Sequence, residues 1–89
     1  MTNEKFEKGK SLTFAIKHLI SIKQELENNA YIQVGTYRIG QRNIDYESKD
    51  FSKSMDSLHE MFKQVMIKRI CYEISILQSK FKELWLKNN

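Results

Sequence analysis

SKDFSKSMDSLHEMFKQVMIKRICYEISILQSKFKELWL, residues 48–86, is the stretch on which the fold turns. Phe51, Met55, Leu58, Phe62, Met66, Ile70, Ile74, Leu77, Phe81 and Leu84 recur in it at steps of three and four. That spacing lines one side of an α-helix. No proline occurs anywhere in the 89 residues, so nothing in the stretch breaks a helix. Ser48 is a good N-cap, and Asp50 puts a negative charge in the first turn, where the helix dipole favours it. The spacing therefore predicts a single long helix over 49–86, about 50 Å or more at ~1.5 Å per residue. Every step from Leu58 to Ile74 is four, so the stripe drifts around the helix. A regular left-handed coiled coil along the whole length is not expected.

Working back toward the N-terminus, the period changes. Tyr37 and Ile39 alternate with Thr36 and Arg38, and Ile44 and Tyr46 alternate with Asn43 and Asp45. Gly40-Gln41-Arg42 lies between the two runs, and Gly40 can supply a positive φ. This predicts a β-hairpin over 36–47, with Tyr37, Ile39, Ile44 and Tyr46 facing inward. Tyr31-Ile32-Gln33-Val34 also alternates and reads as a further short extended piece before Gly35. A lone hairpin is not stable in water, so it must pack on the helices.

Earlier still, Leu12, Ile16, Leu19, Ile20 and Leu26 repeat at helical spacing, with Phe14 and Ile22 widening the apolar side. They predict a first helix over 11–28, capped by Ser11 and ended by Asn28-Asn29. Residues 1–10 are then a flexible lead-in, unless the helix starts nearer Thr2 and passes through Gly9 at a cost of ~1 kcal/mol. The fold class is mainly α with a small β component, in the order helix, β-hairpin, long helix. All of residues 1–89 form one domain.

Composition bounds the function. Charged residues make up 29% of the chain and hydrophobic ones 40%, a globular or assembly-forming balance rather than a disordered one. The net charge of +4 is spread almost evenly: five Lys against four Glu over 1–29, four basic against three acidic over 30–54, and six against four over 55–89. A nucleic-acid binder usually gathers its basic residues on one face or arm, so only weak, non-specific DNA contact is expected. No apolar run approaches the ~18 residues that span a membrane. The charged N-terminus does not resemble a secretory signal. A cytoplasmic protein follows, with no membrane partner and no small-molecule substrate.

A chain this short stabilises itself by disulfides, metals or oligomerisation. Cys71 is the single cysteine and reads as a small buried hydrophobe. His18 and His59 have no ligand-like neighbour at helical spacing, so no metal site is expected; His59 beside Glu60 reads as a solvated surface pair. Glu25/Glu27 and Asp45/Glu47 are two apart, which separates carboxylates on a helix and leaves them solvated on a strand. The glycines at 35 and 40 lack the lysine-serine/threonine ending of a phosphate loop. No catalytic residue, cofactor or metal is expected, and oligomerisation remains.

A first helix of 17 residues spans ~25 Å and covers about half of the second. The half adjoining the hairpin, Phe51 to Met66, is the expected contact. Ile70, Ile74, Leu77, Phe81, Leu84 and Trp85 then form the expected interface with a partner, in an oligomer or on another structural protein. Such side chains are worth roughly 1.5–3 kcal/mol each when buried, and six of them exposed exceed what a monomer usually tolerates. Two alternatives would cover them from within the chain: a bent first helix, or residues 1–10 folded back. Arg38 and Arg42, beside the hairpin, are candidates for contact with phosphate or with a partner's carboxylate.

The order of a helix, YRIGQRNIDY at 37–46, and a second helix opening at Ser48 resembles the lambda W-type head–tail joining proteins of tailed bacteriophages. Over 11–62, Gly40 matches their turn glycine, Arg42 the basic residue after it, and Ile44 and Tyr46 the following strand. Ser48 and Asp50 match the cap and the acidic first turn. The resemblance implies a ring of copies docked beneath the portal vertex, in the host cytoplasm and then the virion, and no catalysis. The longer second helix would be an added oligomerisation arm. The other function considered is a small dimeric phage-encoded regulator or inhibitor that binds a host protein.

Overall fold

The computed structural model describes residues 2–40 and 48–86. Helix α1 (Asn3–Glu27), strands β1 (Ile32–Val34) and β2 (Tyr37–Ile39), and helix α2 (Lys49–Leu86) follow in order. The mainly α, helix–hairpin–long helix architecture is the one the sequence predicts. Three boundaries differ, and they change which surfaces are covered.

The first difference is the start of α1, which is the alternative start near Thr2 and not the one at Ser11. Thr2 caps it, its Oγ1 accepting the Lys5 N–H at 3.2 Å, so the helix runs eight residues further back than Ser11 and residues 3–10 are not a separate lead-in. Gly9 is carried inside the helix, where a Cβ would lie 3.7 Å from Leu84 and 3.9 Å from Phe81. Packing against α2 offsets the poor helix propensity of this glycine. The other end closes as the asparagines predict. Asn29 takes a left-handed φ of 63°, the Asn29 N–H donates to the Leu26 carbonyl, and the Ala30 N–H donates to the Glu25 carbonyl. These are the two bonds of a Schellman motif, with asparagine where glycine is commonest.

The second difference is the hairpin, which the structure places at 32–39 rather than 36–47. Ile32 pairs with Ile39, Gln33 with Arg38 and Val34 with Tyr37, so the two-residue loop is Gly35-Thr36. Gly35 has φ +60° while Thr36 stays negative, the pattern of a type II′ turn, which suits the twist of tight hairpins. Tyr37-Arg38-Ile39 is therefore the second strand, not the first. Of the residues expected to face inward, Ile39 is buried, but Tyr37 is exposed because it sits with Val34 at the free end of the hairpin. Ile44 and Tyr46, and the strand expected of them, lie outside the described residues.

The third difference is which half of α2 the first helix covers. At ~1.5 Å per residue α1 is about 37 Å long and α2 about 57 Å. The helices are antiparallel: Gly9 meets Phe81 and Leu84, while the far end of α1 is tied to α2 near His59 and Lys63. Thus α1 lies along the half of α2 that contains Ile70 to Trp85. The hairpin takes the space beside the beginning of α2. Helix pairing starts after the hairpin and runs outward to the chain ends.

The corner between α1 and β1 is fixed to α2 by polar contacts. His59 Nε2 lies 3.0 Å from the Ala30 carbonyl oxygen, and Lys63 Nζ donates to Asn29 Oδ1 at 3.1 Å. His59 is buried, contrary to a solvated pair with Glu60. Its ring packs where a Cβ on Gly40 would stand, and Gly40 has φ +87°. Both the conformation and the close approach therefore require glycine there. Ser48 caps α2 as expected, its Oγ accepting the Phe51 N–H at 3.2 Å.

Candidate protein-interaction surface

A pair of helices and one small hairpin cannot enclose much. Leu12, Leu26, Ile39, Met55 and Ile70 form the core, yet none of the described side chains is withdrawn completely from solvent. The Cα envelope measures 63 × 19 × 19 Å, so every core side chain is close to a surface. Apolar surfaces remain outside this core, among them two on the helices.

One is the groove between α1 and the end of α2. Phe6, Gly9, Thr13, Phe14, Phe81 and Trp85 line an open volume of about 670 Å³. It meets a second depression of about 450 Å³ at Thr13 and Phe81, continuing past Ile16 and Ile20. Phe81 and Trp85 hold each other edge-to-face, with centroids 5.9 Å apart and planes at 61°. Phe14 stacks at a tilt on His18 at 4.1 Å, on the exposed side of α1.

The other surface runs along α2 itself. Leu58, Met61, Val65 and Tyr72 are exposed, and Ile76 half-buried. Leu58, Val65 and Tyr72 are seven residues apart and so lie on nearly the same line of the helix. Arg69 falls on this line too. Its guanidinium sits 4.9 Å from the Tyr72 ring and 2.8 Å from a Glu73 carboxylate oxygen.

Of the six residues expected to meet a partner, Ile70 is buried, and Ile74, Leu77, Phe81 and Leu84 are half-buried. Trp85 alone is exposed, at 44%. The extended α1 explains this, since it lies where the partner was expected. Cys71, expected inside, is exposed, because it is rotated ~100° from the buried Ile70. Arg38 stacks over the Tyr31 ring at 5.2 Å, and Arg42 lies outside the described residues. Of the residues behind the head–tail resemblance, Ser48 and Asp50 open α2 as that pattern has them. Gly40 follows β2 instead of turning the hairpin, and the remaining three lie outside the described residues.

Titratable chemistry is sparse. Hydrogen bonds from Lys63 and then from Gln64 hold the exposed Glu60 carboxyl below its usual range. Among the described residues no cluster of His, Cys, Asp and Glu could hold a metal ion, and no helix is long and apolar enough to cross a membrane. The sequence reading missed Phe6 and the seven-residue line on α2, and it put Phe14 and Ile22 on the apolar side of the first helix, where the structure leaves both exposed. The line on α2 was present as a spacing, masked by the stronger three-and-four stripe that faces α1. Comparison with family models, curated proteins and solved structures gives no match to this chain.

Proposed function

We propose that this protein is a structural adaptor that acts without catalysis, by associating with itself and docking on other proteins. The observation that carries the reading is the incomplete core. The apolar line on α2 and the groove between the helices are left exposed, and among the described residues no side chain is fully buried. Exposed apolar surface of this extent marks interaction sites in soluble proteins. A partner that supplies further helices would complete the core, as in a bundle.

The finer reading is a bacteriophage head–tail connector component that assembles with portal or neck proteins. Its support is the helix–hairpin–helix order and the Ser48/Asp50 opening of α2. It places the protein in the host cytoplasm and then the virion. Deleting the gene from its phage should leave filled heads and separate tails, and adding the purified protein should join them. Joined, infectious particles formed in its absence would refute the connector reading. A small dimeric regulator that binds a host protein is the reading that would then stand.

A further inference from the structure

We infer that the groove between α1 and the end of α2 is a docking site for a helix of another protein, one whose apolar face is flanked by aspartate or glutamate. The inference rests on the adaptor reading and names the chemistry of the partner for one of its surfaces. The two adjoining depressions, which meet at Thr13 and Phe81, run along α1 from Phe6 to Gln24. At ~1.5 Å per residue that is about 27 Å, the length of a partner helix of about five turns.

Hydrogen bonding selects a helix. The Thr13 hydroxyl donates to the Gly9 carbonyl at 2.9 Å and the Ser21 hydroxyl to the Lys17 carbonyl at 3.2 Å, so both are turned back on their own helix. The rest of the wall is largely Phe6, Phe14, Ile16, Ile20, Phe81 and Trp85. An extended peptide laid there would leave backbone N–H and C=O groups against apolar side chains, and such unpaired groups are costly. A helix pairs its own backbone and presents side chains alone, as amphipathic helices do in other apolar grooves. A bilayer surface is flat, and it would not reach Phe81, which is half-buried where the two depressions meet.

Charge selects what flanks the apolar face. Lys10 and Lys17 are the only charged residues lining either depression. Seven residues apart, they stand on one side of α1 at a rise of about 10 Å. Lys10 reaches Glu7 at 3.8 Å with both side chains largely exposed, a contact that contributes little. Lys17 pairs with no carboxylate among the described residues. Carboxylates seven apart on a partner helix would lie opposite both lysines. A second copy brings the wrong sign, because its exposed line from Leu58 to Tyr72 carries Arg69.

Trp85 is the single tryptophan and lines the groove, so its fluorescence reports occupation directly. The probe is a synthetic, tryptophan-free helix of three heptads with leucine at a and d and glutamate at e and g. Its counterpart carries lysine at e and g. Added to the full chain, the acidic helix should move Trp85 emission to shorter wavelength and shield it from acrylamide. The basic helix should bind at least ~10-fold more weakly, because attractive flanking contacts become repulsive. Lys10→Glu/Lys17→Glu, at two exposed positions, should reverse the preference, with helicity retained by circular dichroism.

Equal binding of the two helices overturns the acidic partner, and binding that leaves Trp85 unchanged overturns the site. A Trp85 shift with phosphatidylglycerol vesicles or duplex DNA, where the acidic helix gives none, overturns the inference in favour of that surface. Failure of both helices to bind the folded chain overturns it outright. The adaptor reading is judged separately by the gene deletion and stands or falls there.

Discussion

Replacing Gly9 by alanine should stabilise the protein, and the size of the gain tests where α1 begins. Gly9 is buried in the second turn of a helix capped by Thr2, and it faces the end of α2. In a helix interior, alanine is favoured over glycine by about 1 kcal/mol, because less backbone entropy is lost on folding. The new methyl group would sit 3.7 Å from Leu84 Cδ2 and 3.9 Å from Phe81 Cε2, ordinary contact distances that demand no rearrangement. Its burial adds up to ~0.8 kcal/mol. The expected gain is therefore about 1–2 kcal/mol, and a domain of this size should melt roughly 5–10 °C higher. Thermal unfolding followed by circular dichroism measures this, with wild type and variant at one protein concentration because association shifts the midpoint. If residues 1–10 were a flexible lead-in, the substitution would be neutral to within ~0.5 kcal/mol. A lower melting temperature would mean that the approach of Phe81 and Leu84 to Gly9 is closer than described. Either result refutes the packing of α1 on the end of α2.

The other two glycines separate backbone strain from steric overlap. Gly35→Ala meets nothing within 4 Å, so its cost should be the positive φ alone, about 1–2 kcal/mol. Gly40→Ala carries the same strain and also drives a methyl group into the His59 ring, and urea unfolding should show a loss of roughly 2–4 kcal/mol. Equal losses at the two sites would show that His59 does not pack on Gly40. Glu60 predicts a pH response. Its carboxyl is held below the usual range by Lys63 and Gln64, so its stabilising contribution is present above the unfolded value and is lost as pH falls through the lowered one. An NMR titration should place the Glu60 midpoint below that of a free glutamate, and Lys63→Met should return it toward the ordinary value. A midpoint unmoved by Lys63→Met would refute the ion pair as its cause.

The fold was legible where one signal acted alone. The stripe from Phe51 to Leu84 and the Ser48 cap define α2, and Asn28-Asn29 define the end of α1. It was misread where two signals competed. Gly9 reads as a break by propensity, yet it is buried against Phe81 and Leu84 of α2, and that packing carries the helix through it. Gly35 and Gly40 can each turn a hairpin, and alternation on both sides of each leaves the choice open. The structure uses Gly35 for the turn and Gly40 for the His59 ring, a long-range contact with no local signature. His59 was misread for the same reason, because the Ala30 carbonyl that holds it lies 29 residues away. Cys71 was misplaced because its apolar neighbours in sequence face α1 while it does not.

These corrections move the exposed apolar surface without removing it. Extending α1 back to Asn3 covers the half of α2 from Ile70 to Leu84, and the same antiparallel geometry withholds α1 from the other half. There Ile39 of the hairpin is buried and Gly40 meets His59, while Leu58, Met61 and Val65 remain exposed. Lengthening α1 further could not reach them, because α1 already ends at the His59 corner and would grow only past the far end of α2. Enlarging the hairpin could not cover the whole line either, because Tyr72 lies about 20 Å along α2 from His59, beside α1. Covering Leu58 and Tyr72 together takes a surface about 21 Å long that passes over Val65, and neither α1 nor the hairpin supplies it.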